Sequence, residues 1–164
     1  MLYADTDKSV ARTVLDRPPE LETEAEDADS NGEEEGVFTA DGRGNVRQWE
    51  VDLLARLVEA EAEAEPYVGK VAVAAVMINR VESPSFPGTL SGVVYQPLAF
   101  ESVMNGRIWR VWNFSESQRA ARAAMNGWDP TWGSLYFWNP ATATSRWVWS
   151  RQIVTRYGRH VFAR

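Results

Sequence analysis

Between residues 48 and 64 the apolar side chains recur every three or four positions, as they do in an amphipathic helix with one face towards a core. Three apolar residues and two glutamates share this face: Leu54, Leu57, Val58, Glu61 and Glu65. A second face carries charges and is predicted to be solvated, with the first two paired at i, i+4: Asp52, Arg56, Glu59 and Glu63. We expect the helix to run from Gln48 to Ala64, because the residue before Pro66 is pushed out of helical geometry.

A second helix is predicted over residues 68–81, where the run VAVAAVMINR is almost wholly apolar. A helix that is apolar all round is buried, so this is the candidate for the central helix of the domain. The loop SPSFPGT follows it, and its two prolines and one glycine favour turns. A short third helix is predicted over residues 90–95, with Thr89 as its N-cap.

The segment SESQRAARAAMNG predicts another helix, rich in the strong helix formers alanine and arginine. Ser115 and Gln118 have the spacing of a capping box at its start. Gly127 and Pro130 are typical of a helix end, because glycine tolerates the left-handed conformation and proline cannot continue the helix. We therefore place the helix between the capping box at its start and Gly127 at its end.

After Gly133 the chain becomes aromatic and β-branched, in SLYFWNP and WVWSRQIVTRYGRHVFA. These segments predict strands, including a C-terminal hairpin that turns at Tyr157 and Gly158. Helices followed by strands predict an α+β domain, with a helical core and a small C-terminal β-sheet or hairpin.

Charge divides the chain into two parts. Residues 1–46 hold thirteen acidic and four basic residues, and residues 47–164 hold ten acidic and thirteen basic ones. The first part has too few apolar groups to offset the entropy of ordering, so we predict an acidic disordered tail or linker there. The second part is predicted to be one globular domain. Its positive net charge suits an anionic polymer such as a cell wall, whereas no basic stripe or recognition helix indicates nucleic acid.

Composition excludes several classes of site. The chain contains no cysteine, which excludes disulfides and thiolate metal sites. Its single histidine, His160, makes a zinc site or a Ser-His-Asp triad a weak alternative, and we predict no metal and no other cofactor. No segment has the roughly 20 apolar residues of a membrane span, and no secretory signal is visible at the N-terminus. The eight tryptophans suit a carbohydrate or peptide groove.

Glu61 is the main candidate for chemistry, because it lies on the apolar face of the first helix. Burial disfavours the charged form of a carboxyl, and a general acid near neutral pH needs that environment. The structural alternative is a glutamate that pairs with an arginine elsewhere. Glu65 shares the apolar face and is a candidate substrate-binding residue; because it lies at the helix end just before Pro66, its alternative role is to orient that turn. Glu101, beside Phe100 in AFESVMNG, is the candidate for a second carboxylate.

A set of polar and aromatic residues could line a glycan groove, since such sites combine apolar walls with a few placed polar groups. The alternative for each aromatic is a place in the core. Asn139 and Pro140 are predicted to form a turn at a strand end, where binding groups are often presented. The candidate groove residues are Gln96, Phe100, Tyr136, Trp138, Asn139, Ser145, Trp147 and Trp149.

Three long segments resemble the catalytic domain of SleB-type cell wall hydrolases, the spore-cortex-lytic enzymes: LLARLVEAEAEAEPYVGKVAVAAVMINRV, YQPLAFESVMNGRIW and AMNGWDPTWGSLYFWNPATATSRWVWSR. The resemblance covers about residues 50–163, with the segments in the family's order. It implies a fold similar to the lysozyme-like, lytic transglycosylase group. It also implies cleavage of the glycan backbone of peptidoglycan, typically cortex peptidoglycan with muramic-δ-lactam, by one glutamate that acts as acid and then base.

The family pattern tyrosine-alanine-glutamate-alanine-arginine-glycine-glutamate-proline aligns its catalytic glutamate with Glu61 and its second glutamate with Glu65. This chain departs from the pattern where Glu59 replaces the tyrosine, Glu63 the arginine and Ala64 the glycine. The changes add two carboxylates near Glu61 and remove a positive neighbour. We expect them to affect activity and pH optimum more than the fold.

Three functions remain open at this point. A lytic transglycosylase needs only one carboxyl, whereas a hydrolytic muramidase normally needs a second one about 5–5.5 Å or 6.5–9.5 Å away. The residues favour the lytic route, because only Glu61 is well placed. The third function is a peptidoglycan-binding module without turnover. The resemblance implies peptidoglycan strands as partner, a cell wall or spore cortex location and a germination role, and we expect a monomer.

Overall fold

The computed structural model describes residues 46–164, so the tail predicted over residues 1–46 lies, except for Val46, outside the described residues. The described part contains six α-helices, one 3-10 helix and three strands. The helices are α1 Gln48–Ala62, α2 Tyr67–Glu82, α3 Leu90–Val94, α4 Glu101–Met104, the 3-10 helix Arg107–Trp109, α5 Ser115–Met125 and α6 Arg146–Trp149. The strands are β1 Tyr136–Trp138, β2 Ile153–Tyr157 and β3 His160–Ala163.

Helix α2 lies at the centre of the main core, between α1 and α5. Its residues from Val71 to Met77 are all buried, which confirms the prediction of a central helix. The apolar face of α1 packs against it, and Leu54, Leu57 and Val58 are fully buried there. This packing fixes the direction of α1 and therefore the position of its last turn, which carries Glu61.

The helix ends agree with the sequence in part. Helix α1 ends at Ala62, two residues before the predicted end, and the Glu65 N–H donates back to the Ala62 carbonyl at 3.0 Å. The predicted cap of α3 is confirmed, because the Gly92 N–H donates to Thr89 Oγ1 at 3.1 Å. The predicted capping box of α5 is wrong: the helix begins at Ser115, so its N-cap is Phe114, whose side chain makes no capping hydrogen bond.

The three strands form an antiparallel sheet in the order β1-β3-β2. Phe137 pairs with Phe162, and Tyr157 pairs with His160 across the turn that contains Gly158. The predicted hairpin and the α+β class, with a helical core and a small C-terminal sheet, are confirmed. The turn of the hairpin is the part of the sheet that reaches the end of α1.

The strand predicted around residues 147–149 is wrong, because this segment forms the helical turn α6. Val148 is 2% exposed and packs with Trp138 and Val161, while Trp149 is 49% exposed. One turn of helix buries the central valine and leaves a tryptophan on either side. An alternation of three residues is too short to distinguish this arrangement from a strand.

The charged face of α1 is not solvated as predicted. Glu59 lies between α2 and α5, where its Oε2 is 3.3 Å from Lys70 Nζ and accepts from Ser117 Oγ at 2.5 Å. Asp52 accepts from Gln118 Nε2 at 2.8 Å instead of forming the predicted pair with Arg56. Arg56 donates to the Val111 carbonyl and stacks on Phe114, while Glu63 is exposed as predicted. Helix α5 packs across this face, which the sequence of α1 alone did not indicate.

Asp129 fixes the loop that leads from α5 into β1. It accepts from the Gly133 N–H at 2.6 Å, from the Thr131 N–H at 2.7 Å and from Asn79 Nδ2 of α2 at 3.1 Å. Burial works against its charge, but these bonds and that from the Thr131 hydroxyl hold the pKa of Asp129 below its ordinary value of 3.8. The loop is therefore tied to the central helix by one carboxylate.

Replacing Asp129 with alanine is expected to lower the free energy of unfolding by about 2 kcal/mol, because the partly buried donors lose their acceptor. Because the pKa is depressed in the folded state, this contribution is complete above pH 3.8 and is lost as the pH falls through the folded pKa. Urea denaturation at pH 7 and at low pH measures both effects. An Asp129→Asn control keeps one acceptor oxygen and should lose less; an alanine variant as stable as the wild type at pH 7 would contradict this role.

Candidate active site

An open pocket of about 240 Å³ lies where the end of α1 meets α4, the loop after β1 and the start of β3. One of its lining residues is apolar and the others are polar or charged: Ala60, Glu61, Glu101, Ser102, Asn105, Arg107, Asn139, Thr142 and His160. The apolar walls predicted for a glycan groove are therefore not found at this pocket. Three residues from the predicted site meet here, namely Glu61, Glu101 and Asn139.

Glu61 lies in the last turn of α1 and is half-buried. The buried Ser102 of α4 donates its hydroxyl hydrogen to Glu61 Oε1. The stripe of α1 that is apolar at Leu54 and Leu57 thus ends in a carboxyl held at the edge of the pocket. A carboxyl in this position is restrained by its neighbours and still accessible to a ligand.

Helix α4 and the residues after it form one wall of the pocket. Glu101, the exposed first residue of α4, lines the same pocket as Glu61. Arg107 donates a guanidinium hydrogen to the Ala60 carbonyl at the end of α1, which joins this wall to the helix that carries Glu61. The wall therefore supplies one further carboxylate and one cation.

Asn139 lines the pocket from the loop directly after β1. Its Oδ1 accepts from the Ala141 N–H at 2.9 Å, and its carbonyl accepts from the Thr142 N–H at 3.1 Å. These bonds form the turn predicted at the strand end, which brings Thr142 into the pocket as well. The turn is confirmed; the ligand-binding role of Asn139 stays a prediction.

His160, at the start of β3, also lines the pocket, although it is only 7% exposed. Its ring packs edge-on against Phe137, with the ring centroids 5.3 Å apart. Its Nδ1 is 3.6 Å from Oε1 of Glu65, and Oε2 of that carboxylate accepts from the Arg159 N–H at 2.9 Å. The Glu65 side chain is thus bound to the hairpin turn, a contact that the sequence did not predict, and it does not line this pocket. Its role in substrate binding stays a prediction.

Two of the predicted groove residues lie in the core. Phe100 is 1% exposed in the main core, and Trp138 is fully buried in a second cluster with Val148 and Val161. Neither has a surface to offer a ligand, so their predicted role as groove residues is wrong. Trp138 lies on the side of the small sheet that packs against Val148 of α6, whereas Phe137 and Phe162 belong to the main core.

The other predicted groove residues do not line this pocket. Tyr136 packs edge-on against Trp147 with centroids 5.0 Å apart, and both are half-buried. Trp149 is exposed and packs edge-on against Trp138. Gln96 and Ser145 are half-buried in neighbouring segments. These positions remain predicted substrate contacts outside the pocket itself.

Sequence reasoning missed Ser102, Asn105, Arg107, Thr142 and His160. The position of Ser102 directly after Glu101 was a usable signal, because it follows a residue already singled out. His160 lies 99 positions from Glu61 in the chain and carries no local pattern, so only the pairing of β3 with its neighbours places it in the pocket.

Gly158 is required where the hairpin turn meets Glu65. It has a φ of +54°, and a Cβ at this position would lie 1.8 Å from Glu65 Oε2. Alanine here is expected to lower the free energy of unfolding by about 2 kcal/mol, of which the left-handed conformation accounts for about half. Thermal or urea unfolding measures the loss.

Gly106 provides the matched control, since its φ is +71° and a Cβ there meets no atom within 4 Å. A Gly106→Ala variant should therefore show only the conformational part of the effect. Equal losses at the two positions would mean that contact with Glu65 adds nothing at Gly158.

Among residues 46–164 there is no cluster of three His, Cys, Asp or Glu side chains placed to hold a metal ion. In the same range, no helix combines the length and the apolar character that crossing a membrane requires. The residues that line the pocket offer carboxyl, hydroxyl, amide, guanidinium and imidazole groups.

A half-buried, hydrogen-bonded glutamate in an open polar pocket on a helical core is the kind of site that an acid–base enzyme uses. The chain belongs to the Cell Wall Hydrolase family, a family of enzymes whose model matches residues 64–163. It is 47% identical over 117 residues to a spore cortex-lytic enzyme of Bacillus cereus, covering 71% of this chain and 45% of that protein. The chain thus spans less than half the length of this relative.

A further relative and two solved structures are also similar to this chain. The chain is 36% identical over 121 residues to the cell wall hydrolase CwlJ of Bacillus subtilis, covering 69% of this chain and 83% of that protein. It matches the crystal structure of the catalytic domain of the Bacillus cereus SleB protein with a TM-score of 0.68 and 46% identity, covering 73% of this chain and 93% of that one. A second structure, described as the catalytic domain of a germination-specific lytic transglycosylase from Bacillus anthracis, has a TM-score of 0.69 and 45% identity, covering 73% and 98%. The predicted family and its lysozyme-like fold are confirmed.

Proposed function

We propose that this chain cleaves the glycan strands of peptidoglycan by lytic transglycosylation, with Glu61 as the acid. The observation that carries the proposal is the position of Glu61, half-buried at the edge of an open pocket with Ser102 donating to it. The similarity to a catalytic domain described as a lytic transglycosylase supports it. Spore cortex peptidoglycan is the proposed substrate, because relatives are described as spore cortex-lytic enzymes.

In this reaction Glu61 donates its proton to the oxygen of the glycosidic bond as the bond to the anomeric carbon breaks. The 6-hydroxyl of the same muramyl residue then attacks the anomeric carbon and closes an anhydro ring. One carboxyl group suffices in principle, since it can give a proton and then accept one. Neutral and charged hydrogen-bonding groups of the pocket, such as Asn139 and Arg107, are suited to the hydroxyl and amide groups of a sugar.

Hydrolysis by a muramidase is the second candidate, and one observation favours it. Glu101 lines the same pocket as Glu61, so the pocket contains a second carboxylate, the kind of group that such an enzyme uses to activate water. Glu101 is exposed and is the first residue of a four-residue helix, which makes it a weaker candidate for a placed base than a restrained side chain.

A binding module without turnover is the third candidate, because the chain departs from the family pattern at Glu59, Glu63 and Ala64. None of these three side chains lines the pocket. Glu59 is engaged by Lys70 and Ser117, and the other two residues are exposed. The departures therefore leave the groups around Glu61 in place, which favours an active enzyme.

The mass of the products distinguishes the three functions. We expect the full chain, incubated with purified cortex and vegetative peptidoglycan, to release muropeptides with anhydro ends, which are lighter by one water than hydrolysed ones. Products carrying only the added water would establish the muramidase instead. Binding without any soluble product would establish the non-catalytic module.

The remaining proposals concern the domain organisation, the partner, the location and the oligomeric state of the chain. Residues 47–164 are proposed as the catalytic domain and residues 1–46 as an acidic tail outside it. The proposed partner is the peptidoglycan strand, the proposed location is the cell wall or spore cortex, and the proposed form is a monomer. Sedimentation of the full chain, with and without soluble glycan fragments, tests the last of these.

A further inference from the structure

The pocket contains a second group suited to proton transfer, the imidazole of His160. It is the single histidine of the chain, it lines the same pocket as Glu61, and it is only 7% exposed. Its ring is fixed on one face by the edge-on contact with Phe137 at 5.3 Å. A histidine that only filled space in the sheet would not need to face a polar pocket.

Glu65 lies beside the ring and, unlike His160, does not line the pocket. Its side chain is 4% exposed, with Oε2 bound to the Arg159 N–H and Oε1 at 3.6 Å from His160 Nδ1. The absence of a side chain at Gly158 makes room for this carboxylate. His160 Nδ1 makes no hydrogen bond, and the Glu65 carboxylate is the charged group beside it. We therefore assign the proton of the neutral ring to Nδ1, which leaves Nε2 as the nitrogen that can accept a proton.

The charges around the ring decide its state at neutral pH. Burial lowers the pKa of His160 below its ordinary value of 6.5, although the Glu65 and Glu61 carboxylates raise it; Arg159 lowers it. Glu101 and Arg107, one of each sign, line the same pocket. The net direction is downward, so the imidazole is neutral at pH 7 and can act as a base.

We propose that His160 is the base of the reaction and that Glu65 positions it. This inference rests on the proposed function, and it assigns the two proton transfers of the cleavage reaction to two different residues. Glu61 gives its proton to the glycosidic oxygen and the bond from this oxygen to the anomeric carbon breaks. The muramyl 6-hydroxyl oxygen forms a bond to that carbon, and its proton passes to His160 Nε2. The cycle ends when the imidazolium loses this proton and the Glu61 carboxylate regains one, both through solvent.

The first test uses the wild-type chain and exploits its single histidine. Its ring protons titrate as one set in an NMR spectrum, which measures the pKa of His160 directly. We expect kcat/KM for soluble glycan fragments to fall as the pH drops below 6.5, with a midpoint equal to the pKa from NMR, since kcat/KM reports groups of the free enzyme. Midpoints that differ by a full pH unit would overturn the proposal.

The second test replaces His160 with glutamine, which retains hydrogen bonding but cannot take up a proton. We expect kcat to fall about 100-fold with KM within about twofold of the wild type, and the acidic limb of the pH profile to disappear. Unfolding measured at pH 7 shows whether the variant is folded. A folded variant with kcat within threefold of wild type, or with the same acidic limb, would overturn the proposal.

Glu65→Gln is the matched variant for the positioning role. It removes the carboxylate beside the ring, so we expect the NMR pKa of His160 and the acidic limb of the kcat/KM profile to shift together. Movement of only one of the two would contradict the link between them. Failure of the proposed function is distinguishable: a wild-type chain that cleaves no glycan refutes that function. A normal His160→Gln variant beside an inactive Glu61→Gln variant refutes only this inference.

Discussion

Replacing Glu61 with glutamine is expected to lower the rate of glycan cleavage by about 1,000-fold or more while the chain stays folded. Glutamine has nearly the same shape and can still accept the hydrogen bond from Ser102, but it has no proton to give to a leaving oxygen. Losing a general acid costs about 100- to 10,000-fold in rate. Release of soluble fragments from purified peptidoglycan, followed over time, measures the effect.

Glu63→Gln is the control for this variant. Glu63 lies two residues away, is exposed and does not line the pocket, so its replacement changes the same charge without touching the proposed acid. We expect it to cleave at a rate within about twofold of wild type. Comparable cleavage by the Glu61→Gln variant would show that another group is the acid.

The Lys70→Met substitution is expected to lower the free energy of unfolding by about 3 kcal/mol, because it leaves the Glu59 carboxylate without its cation between α1, α2 and α5. The Lys70 and Glu59 side chains are 5% and 13% exposed, so water replaces little of the lost interaction. Glu116 also contacts Lys70, at 2.9 Å, but from the surface. Urea denaturation of the two proteins at pH 7 gives the difference.

The pH dependence of this difference has a defined sign. Burial lowers the pKa of Lys70, but the bonds to Glu116 and Glu59 outweigh it and raise the pKa above its ordinary value of 10.5. The stabilisation is therefore complete below pH 10.5 and is lost as the pH rises through the folded pKa. The Glu59→Gln/Lys70→Met double variant should recover most of the loss at pH 7. A double variant less stable than Lys70→Met would contradict the pairing.

The helical part of the fold could be predicted from the sequence because its signals are local. The repeat of Leu54, Leu57 and Val58 defines the buried face of α1, and the continuous apolar run over residues 71–77 defines the central helix. The Thr89 cap and the turn before β3 likewise follow from residues that are neighbours in the chain. Hydrophobic periodicity and turn chemistry are sufficient in such segments.

The parts that failed depend on contacts between distant segments. Glu59 looked like a surface residue because its partners, Lys70 and Ser117, come from two other helices. Trp138 looked like a groove residue because an aromatic in a strand can face either side of a sheet, and here the side that carries Trp138 is buried in the second cluster, against Val148 of α6. Spacing along the chain does not contain this information.

In the candidate site, too, local signals could be predicted from the sequence, whereas contacts between distant segments could not. Glu61 was found because a charge interrupts an apolar helix face, which is visible in the sequence. The polar character of the pocket and the presence of His160 were missed, because β3 reaches α1 only through the sheet. The resemblance to SleB-type enzymes supplied the family and the reaction, while the structure supplied the neighbours of the glutamate.

The most direct test of the account is a crystal structure of the inactive Glu61→Gln chain with a peptidoglycan tetrasaccharide bound. We predict that the oxygen of one glycosidic bond lies about 2.6–3.2 Å from the side chain of residue 61, within hydrogen-bond reach. A tetrasaccharide bound on another face of the domain, with no glycosidic oxygen near that side chain, would contradict the account.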